Sequence, residues 1–260
     1  MHAFRDTDLL LRGPIVGEAV RHFFDDIARR APDLYPAAMR AFAPVQQGLC
    51  AVPPMGCGAA RLVNNDPQAK QRGRTLGRLF ACYCEAVPAA DTIIISNGYF
   101  LPVPTIVQTI VRAAKRGVLF KILCNGPHGH DLLGRLVGFG TISLLRRLFA
   151  LCPSGSLEVW LWQADPATNL CAMHHKVALL GLQGTVLVGS ANFDAVSERS
   201  NYESAVALDD VSVRREFLRS FAADVRRPNV RRVRRCDVEA VSWPLRLLQG
   251  GLRRTLGKRL

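Results

Sequence analysis

Two histidines and a lysine at the mouth of an apolar strand constrain this chain more than any other feature. The run Met173-His174-His175-Lys176-Val177-Ala178-Leu179-Leu180 reads as a buried β-strand, closed by the turn residues Gly181 and Gly184. Alternate side chains on a strand share a face, so His174 and Lys176 point together and His175 points away. A second apolar strand, Thr185 to Val188, returns into the turn Gly189-Ser190-Ala191-Asn192. Lying side by side, the two strands bring that turn to the end that carries His174 and Lys176. Such a set suits a phosphoryl group: Lys176 supplies charge, while Ser190, Asn192 and backbone N–H groups donate hydrogen bonds. His174 can act as nucleophile or as general acid and base, and Glu203 of Asn201-Tyr202-Glu203 is the carboxylate expected to orient it. Singly, Gly-Ser-x-Asn is an ordinary turn and His175 an ordinary structural histidine. Their combination is what points to chemistry.

The positions His174-x-Lys176, Gly189-Ser190-x-Asn192-x-Asp194, Ser197 and Asn201-x-Glu203 resemble the second active-site motif of the phospholipase D superfamily. Within it, the sequence is most similar to the C-terminal part of bacterial cardiolipin synthases. The resemblance implies an α/β fold: a phospholipase D-like lobe with a mixed β-sheet flanked by helices on both faces. It also implies a phosphatidyltransferase or phosphodiesterase that works on phospholipids through a phosphohistidine, with no metal and no other cofactor. His174, Lys176 and Glu203 would be catalytic, and Ser190 and Asn192 would bind the substrate phosphate. In a cardiolipin synthase the acceptor is a glycerol hydroxyl of a second phospholipid.

Two positions depart from the family pattern. The aspartate expected five residues after the lysine is Gly181, and the arginine expected before the serine is Val196. Loss of the aspartate is expected to leave buried donors unpaired, at a cost of about 1–3 kcal/mol.

An expected strand from Phe4 to Arg12, Gly13-Pro14, and a helix from Ile15 to Arg30 with Ile15, Ala19, Phe23 and Ile27 inward resemble the family segment that follows the first motif. No first motif precedes it in the sequence, whereas the family's chemistry uses two. The expectation is therefore a site incomplete in one chain. Two alternatives stand beside it: a one-motif homodimeric phosphodiesterase or nuclease, and a catalytically dead remnant that binds membrane.

Three regions are expected: a partial first lobe plus a connector of low regularity (1–67), the catalytic lobe (68–225) and a basic C-terminal tail (226–260). Inside the lobe, a strand from Thr92 to Ser96, a helix from Val103 to Arg116 and a strand from Val118 to Cys124 form a β-α-β unit, hence a parallel pair. A helix is expected from Gln68 to Val87, and another after Asp131 to about Ala150. His128 and His130 fall in the loop between the second strand and that later helix.

Composition bears on the partners. Hydrophobic residues make up 49% of the chain and the net charge is +13. From Arg226 onward there are eleven Arg and Lys against Asp237 and Glu239. Such a patch attracts polyanions, and charge alone does not separate lipid headgroups from nucleic acid. Lipid chemistry at the motif favours anionic phospholipids or a membrane surface over nucleic acid, with a homodimer as a further possible partner. No run of about 18 apolar residues is present to span a bilayer, and no secretory leader is visible. The eight cysteines read as reduced thiols rather than a disulfide framework. The expected location is cytoplasmic, peripheral to the inner membrane. The segment Trp243 to Leu260, with leucines spaced among arginines, reads as a basic amphipathic stretch suited to a lipid interface.

Overall fold

The computed structural model of the chain describes residues 3–11, 13–50, 59–66, 75–127, 132–165 and 170–239. In chain order the elements are β1 (Ala3–Arg5), α1 (Pro14–Arg30), α2 (Tyr35–Cys50), β2 (Ala59–Asn65), α3 (Thr75–Ala86), β3 (Thr92–Asn97), α4 (Pro104–Lys115) and β4 (Leu119–Asn125). There follow α5 (Leu132–Leu151), β5 (Leu157–Trp162), β6 (Leu170–Met173), β7 (Lys176–Leu180), β8 (Thr185–Gly189) and α6 (Ala195–Arg199). The last described elements are β9 (Glu203–Asp209), α7 (Val211–Asp224), β10 (Val230–Val233) and α8 (Arg235–Glu239).

Eight strands form one mixed sheet in the order β10-β5-β4-β3-β7-β8-β9-β2. Every residue of β3 is buried. A strand covered on both faces has no polar side to show, which is why Thr92-Ile93-Ile94-Ile95-Ser96 is almost continuously apolar. β3, β4 and β5 run parallel, whereas β7, β8 and β9 are joined as antiparallel neighbours. On one face α3, α4 and α5 pack through Phe80, Ile110, Leu145 and Leu148. On the other, α7 packs through Phe217 and Phe221 against Ile94, Leu123, Val177 and Val186. The expected mixed sheet with helices on both faces is what the chain forms.

Both outer strands come from regions expected to lie outside the lobe. β2 pairs with β9 along its whole length, and β10 pairs with β5. α8 packs on α5, with Val238 buried and the Arg235 side chain donating to the Phe149 carbonyl. Edge strands need only one covered face, so Val230-Arg231-Arg232-Val233 can be rich in arginine and still join a sheet. Likewise the stretch expected as an irregular connector contains α2. Its Pro36 falls in the first turn, where a missing N–H leaves no helical bond unmade.

At the N-terminus, the expected strand shrinks to β1, which pairs in parallel with β6 in a separate two-stranded sheet. α1 forms as expected, but one position of its inward stripe differs. Phe24 is buried against Phe42 and Tyr35, while Phe23 is 59% exposed. The partner explains the difference: α1 packs on α2, and Phe24 is the ring that meets Tyr35 and Phe42 there. His128, His130, Asp131 and Trp243 to Leu260 lie outside the described residues.

The turn after β7 corrects one expectation. Gly181 adopts φ +93°, a left-handed conformation that suits glycine. The carboxylate missing there is supplied from elsewhere: Asp91, just before β3, accepts from Leu182 N at 3.0 Å and from Thr92 N at 2.6 Å. The Leu182 N–H is thus paired. A Cβ on Gly181 would approach Asp91 Oδ2 to 3.1 Å. Restoring the family residue by Gly181→Asp is therefore expected to destabilise the fold, by about 1–2 kcal/mol from the backbone alone, with like-charge repulsion added. Urea unfolding measures this; an unchanged or raised midpoint would refute the substitution of Asp91 for the motif aspartate.

Candidate active site

The two histidines lie in the gap between β6 and β7, where the chain leaves one sheet and enters the other. Nearly every backbone group there is claimed. The Asn125 carboxamide, at the carboxyl end of β4, accepts from Met173 N at 2.9 Å and donates to Met173 O at 2.8 Å. His174 N donates to Arg5 O at 2.7 Å, and Gly98 N donates to His175 O at 2.9 Å. Held in this way, the two rings face opposite sides, as strand alternation requires.

His174 meets a carboxylate, but not the expected one. Its Nδ1 lies 2.8 Å from Asp6 Oδ2, and both side chains are nearly half exposed. Glu203 does not orient His174. It is buried at the start of β9, where it accepts from Ser190 Oγ at 2.5 Å and from Asn201 Nδ2 at 3.1 Å. The reason is register: β9 pairs with β8, which aligns Glu203 with the Gly-Ser turn rather than with the histidine gap. Gly189 makes that approach possible, because a Cβ there would stand 2.3 Å from Ser204 O.

Lys176 lies within the electrostatic reach of both Asp6 and Glu203. Its Nζ donates to His174 O at 2.8 Å. Burial pushes its ammonium below the ordinary lysine range, against the opposing pull of Asp6, Glu203 and Asp194. For Asp6, burial works to raise the carboxyl pKa. The His174 bond, the Thr7 N–H and the charges of His174 and Lys176 together outweigh it, so Asp6 titrates below the usual aspartate value. An ionised Asp6 on Nδ1 selects the tautomer with the proton on Nδ1 and leaves a lone pair on Nε2. Lys176, Asn192 and Asp194 also line one cavity of ≈ 50 Å³, walled by Phe80, Ile106 and Leu187. In it Asn192 Oδ1 is buried without a partner.

Asparagines at strand ends hold the loops in place, and none of them stands among the expected site residues. Asn97, closing β3, donates to Ala191 O at 3.3 Å and accepts from Phe193 N at 3.2 Å, which clamps the Gly-Ser-x-Asn turn on both sides. Asn65, closing β2, donates to the carbonyls of Ser197, Glu198 and Asn201. Ser197 in turn accepts from Asn192 N at 3.1 Å. The signal that could have found them is positional: among the described strands, three end in asparagine, at Asn65, Asn97 and Asn125.

Asp6 interacts through its charge with both His174 and Lys176, while the cavity beside Lys176 is lined by Asn192 and Asp194 and not by His174. The arrangement brings Ser190 to Glu203 rather than leaving the hydroxyl free, and it adds Asp6 to the expected set. A family described as "Cardiolipin synthase, PLD-like domain" matches residues 85–225. Cardiolipin synthase B of Escherichia coli (strain K12) is 30% identical over 122 residues, which cover 47% of this chain and 26% of that protein. Cardiolipin synthase B of Salmonella typhi is 29% identical over 122 residues, with the same shares. The matched stretch thus spans about a quarter of the length of these relatives. Among solved structures, phosphatidylserine synthase of Haemophilus influenzae Rd KW20 superposes with a TM-score of 0.56 at 14% identity, covering 86% of this chain and 53% of that one. That likeness is one of fold.

Two groups beside the site, one buried and one partly buried, titrate in opposite senses. His175 is 2% exposed; burial pushes its pKa down to about 4, with Asp224 opposing. As pH falls from 6.5 to 4 the unfolded chain takes a proton that the folded chain refuses, so stability falls by about 3 kcal/mol. Asp194 is pushed up to about 6 by burial, against the Ser197 N–H it accepts, with Glu203 adding to the rise. The folded chain keeps that proton while the unfolded one loses it above 3.8, so stability rises as pH falls from 6 to 3.8, again by about 3 kcal/mol. In the wild type these contributions largely cancel. Asp194→Asn should therefore lose stability on acidification more steeply than wild type, and His175→Gln should lose less. Parallel pH profiles of the urea midpoint in all three proteins would contradict the assignment.

Proposed function

Because the chain belongs to the cardiolipin synthase PLD-like domain family, we propose that it carries one half of a metal-independent phosphodiester-transfer site for phospholipids. The observation that carries this reading is the Asp6–His174 contact, 2.8 Å at Nδ1. An imidazole bonded to a carboxylate through Nδ1 presents Nε2 as a nucleophile. The Nε2 lone pair attacks phosphorus and forms a P–N bond, while the bond to the departing alcohol oxygen breaks. That oxygen takes a proton from an acid contributed by a second His-x-Lys motif. The same group, now a base, removes the proton of an acceptor hydroxyl. The acceptor then attacks phosphorus, the P–N bond breaks and His174 is regenerated. A glycerol hydroxyl of a second phospholipid gives transfer, and water gives hydrolysis.

In this reading Asp6 stabilises the charge that His174 gains in the phosphohistidine. Lys176 and Asn192 balance the non-bridging oxygens as charge shifts onto them. Ser190 acts on Glu203 first, so its role at the phosphate requires the Glu203 bond to be exchanged or shared. Among the described residues no second imidazole stands at His174: His175 points through the sheet, and His22 pairs with Glu18 on α1. A second reading is favoured by the openness of this face, where Phe4 beside His174 is 56% exposed. In it, two copies of the chain face one another and each supplies one histidine.

The basic C-terminal residues would seat the chain on anionic headgroups. Among the described residues no helix is long and apolar enough to cross a membrane. Peripheral attachment at the inner membrane belongs to the same proposal.

The test is incubation with phosphatidylglycerol labelled at phosphorus, followed by acid and base stability of the labelled protein. Acid-labile, base-stable label on wild type is expected, none on His174→Ala, and about a hundredfold slower labelling on Lys176→Ala. Labelling of His174→Ala equal to wild type would remove the catalytic reading, and none on either would remove the reading in which two copies of this chain complete the site. Sedimentation in dilute solution decides between one copy and two.

A further inference from the structure

β1 is three residues long, and Phe4 at its middle is exposed, so strand pairing alone is a weak anchor for the aspartate that follows it. The anchoring comes from Arg5. Its guanidinium forks onto Asp224, with Nε 3.1 Å from Oδ1 and Nη2 3.3 Å from Oδ2. Nη2 also donates to Ser220 Oγ at 3.0 Å, and Nη1 donates to the Asp6 carbonyl at 2.9 Å. One side chain thus ties the peptide of Asp6 to the end of α7, where Asp224 lies 219 residues beyond Arg5 in sequence. A bidentate guanidinium–carboxylate pair fixes orientation as well as distance.

Asp224 sits where local rules disfavour it. It is the last residue of α7 and 1% exposed, so it brings a buried negative charge to the negative end of a helix. Two guanidiniums compensate, Arg5 and Arg227, the latter with Nε 3.0 Å from Oδ1. His175 does not share the task as a cation. Its Nδ1 stands 2.9 Å from Ser96 Oγ and 3.9 Å from Asp224 Oδ2, and burial keeps the ring neutral. A residue that breaks the local preference and is met by such partners points to a role beyond the helix it ends.

We propose that Asp224 is a positioning residue of the site: through the Arg5 fork it sets the Asp6 peptide, and so aims the Asp6 carboxylate at His174 Nδ1. The residues His174-His175 and Arg5-Asp6 then form a four-point clamp. On one side of the chain His174 meets Asp6; on the other, Arg5 meets Asp224, with His175 packed behind. This deepens the reading of His174 as the nucleophile and rests on it, but the clamp is a property of the resting protein and is measured without turnover.

The experiment uses the full chain with ¹⁵N-labelled histidine at neutral pH. Long-range ¹H–¹⁵N spectra report the tautomer of each ring, and the His174 signals are those missing in His174→Ala. Wild type is expected to show a fixed His174 tautomer with the proton on Nδ1. Asp224→Asn and Arg5→Met are both expected to lose it, giving the averaged signal of Asp6→Asn. Arg227→Met, which removes the other guanidinium, is expected to keep it. If Asp224→Asn does not fold, Arg5→Met, at a partly exposed position, decides the matter alone. A fixed His174 tautomer surviving in a folded Asp224→Asn or Arg5→Met overturns the proposal, as does its loss in Arg227→Met or its absence from wild type. Absent phosphohistidine with this pattern intact counts against the catalytic reading only.

Discussion

A single hydrogen bond, from His174 to Asp6, closes a loop of 168 residues, and the proposed chemistry rests on it. Everything around it serves to make that contact reproducible. The imidazole is set by the break between β6 and β7, where Asn125, Gly98 and Arg5 take the backbone groups that no sheet partner claims. The carboxylate is set by a short parallel strand and by the guanidinium next to it. Neither side is rigid alone. A charge-assisted bond of this kind is worth more than a neutral one only when both partners are held in place beforehand.

What is legible in the sequence follows from period and spacing. Alternation along Met173 to Leu180 places His174 and His175 on opposite faces, and the apolar runs around Thr92, Val118 and Leu157 mark the parallel centre of the sheet. Glu203 escapes such reasoning because nearness in sequence is a poor guide to nearness in space. Its real partner, Ser190, is fixed by the β8–β9 register, while Asp6 arrives through pairing of a strand too short to show a period. α2 is hidden by Pro36, Pro44 and Gly48, and β10 by its arginines, since an edge strand needs little apolar character. Strand-end asparagines are among the commonest turn residues, so Asn65, Asn97 and Asn125 carry no signal singly.

The exchange of an aspartate for Gly181 shows how a motif can lose a residue and keep its function in the fold. The acceptor that the turn needs comes instead from Asp91, reaching across from the start of β3, and glycine relieves the backbone of the left-handed conformation. Charge around the site is arranged in a comparable way. Asp6, Glu203 and Asp194 all act on Lys176 through their charge, so its ammonium is partly compensated before any phosphate arrives. An incoming phosphodiester anion would compete with those carboxylates for one cation. This favours a site that binds phosphoryl groups weakly at rest and more strongly once the charge of a second half is added.

The role of His174 is tested most directly by where a phosphate mimic settles. Crystals of the protein grown with orthovanadate are expected to show vanadium bonded to His174 Nε2, with Lys176 and Asn192 on its equatorial oxygens and Asp6 still on Nδ1. Vanadate bound only among the arginines of β10 and α8, with the His174 ring empty or turned away from Asp6, would contradict it.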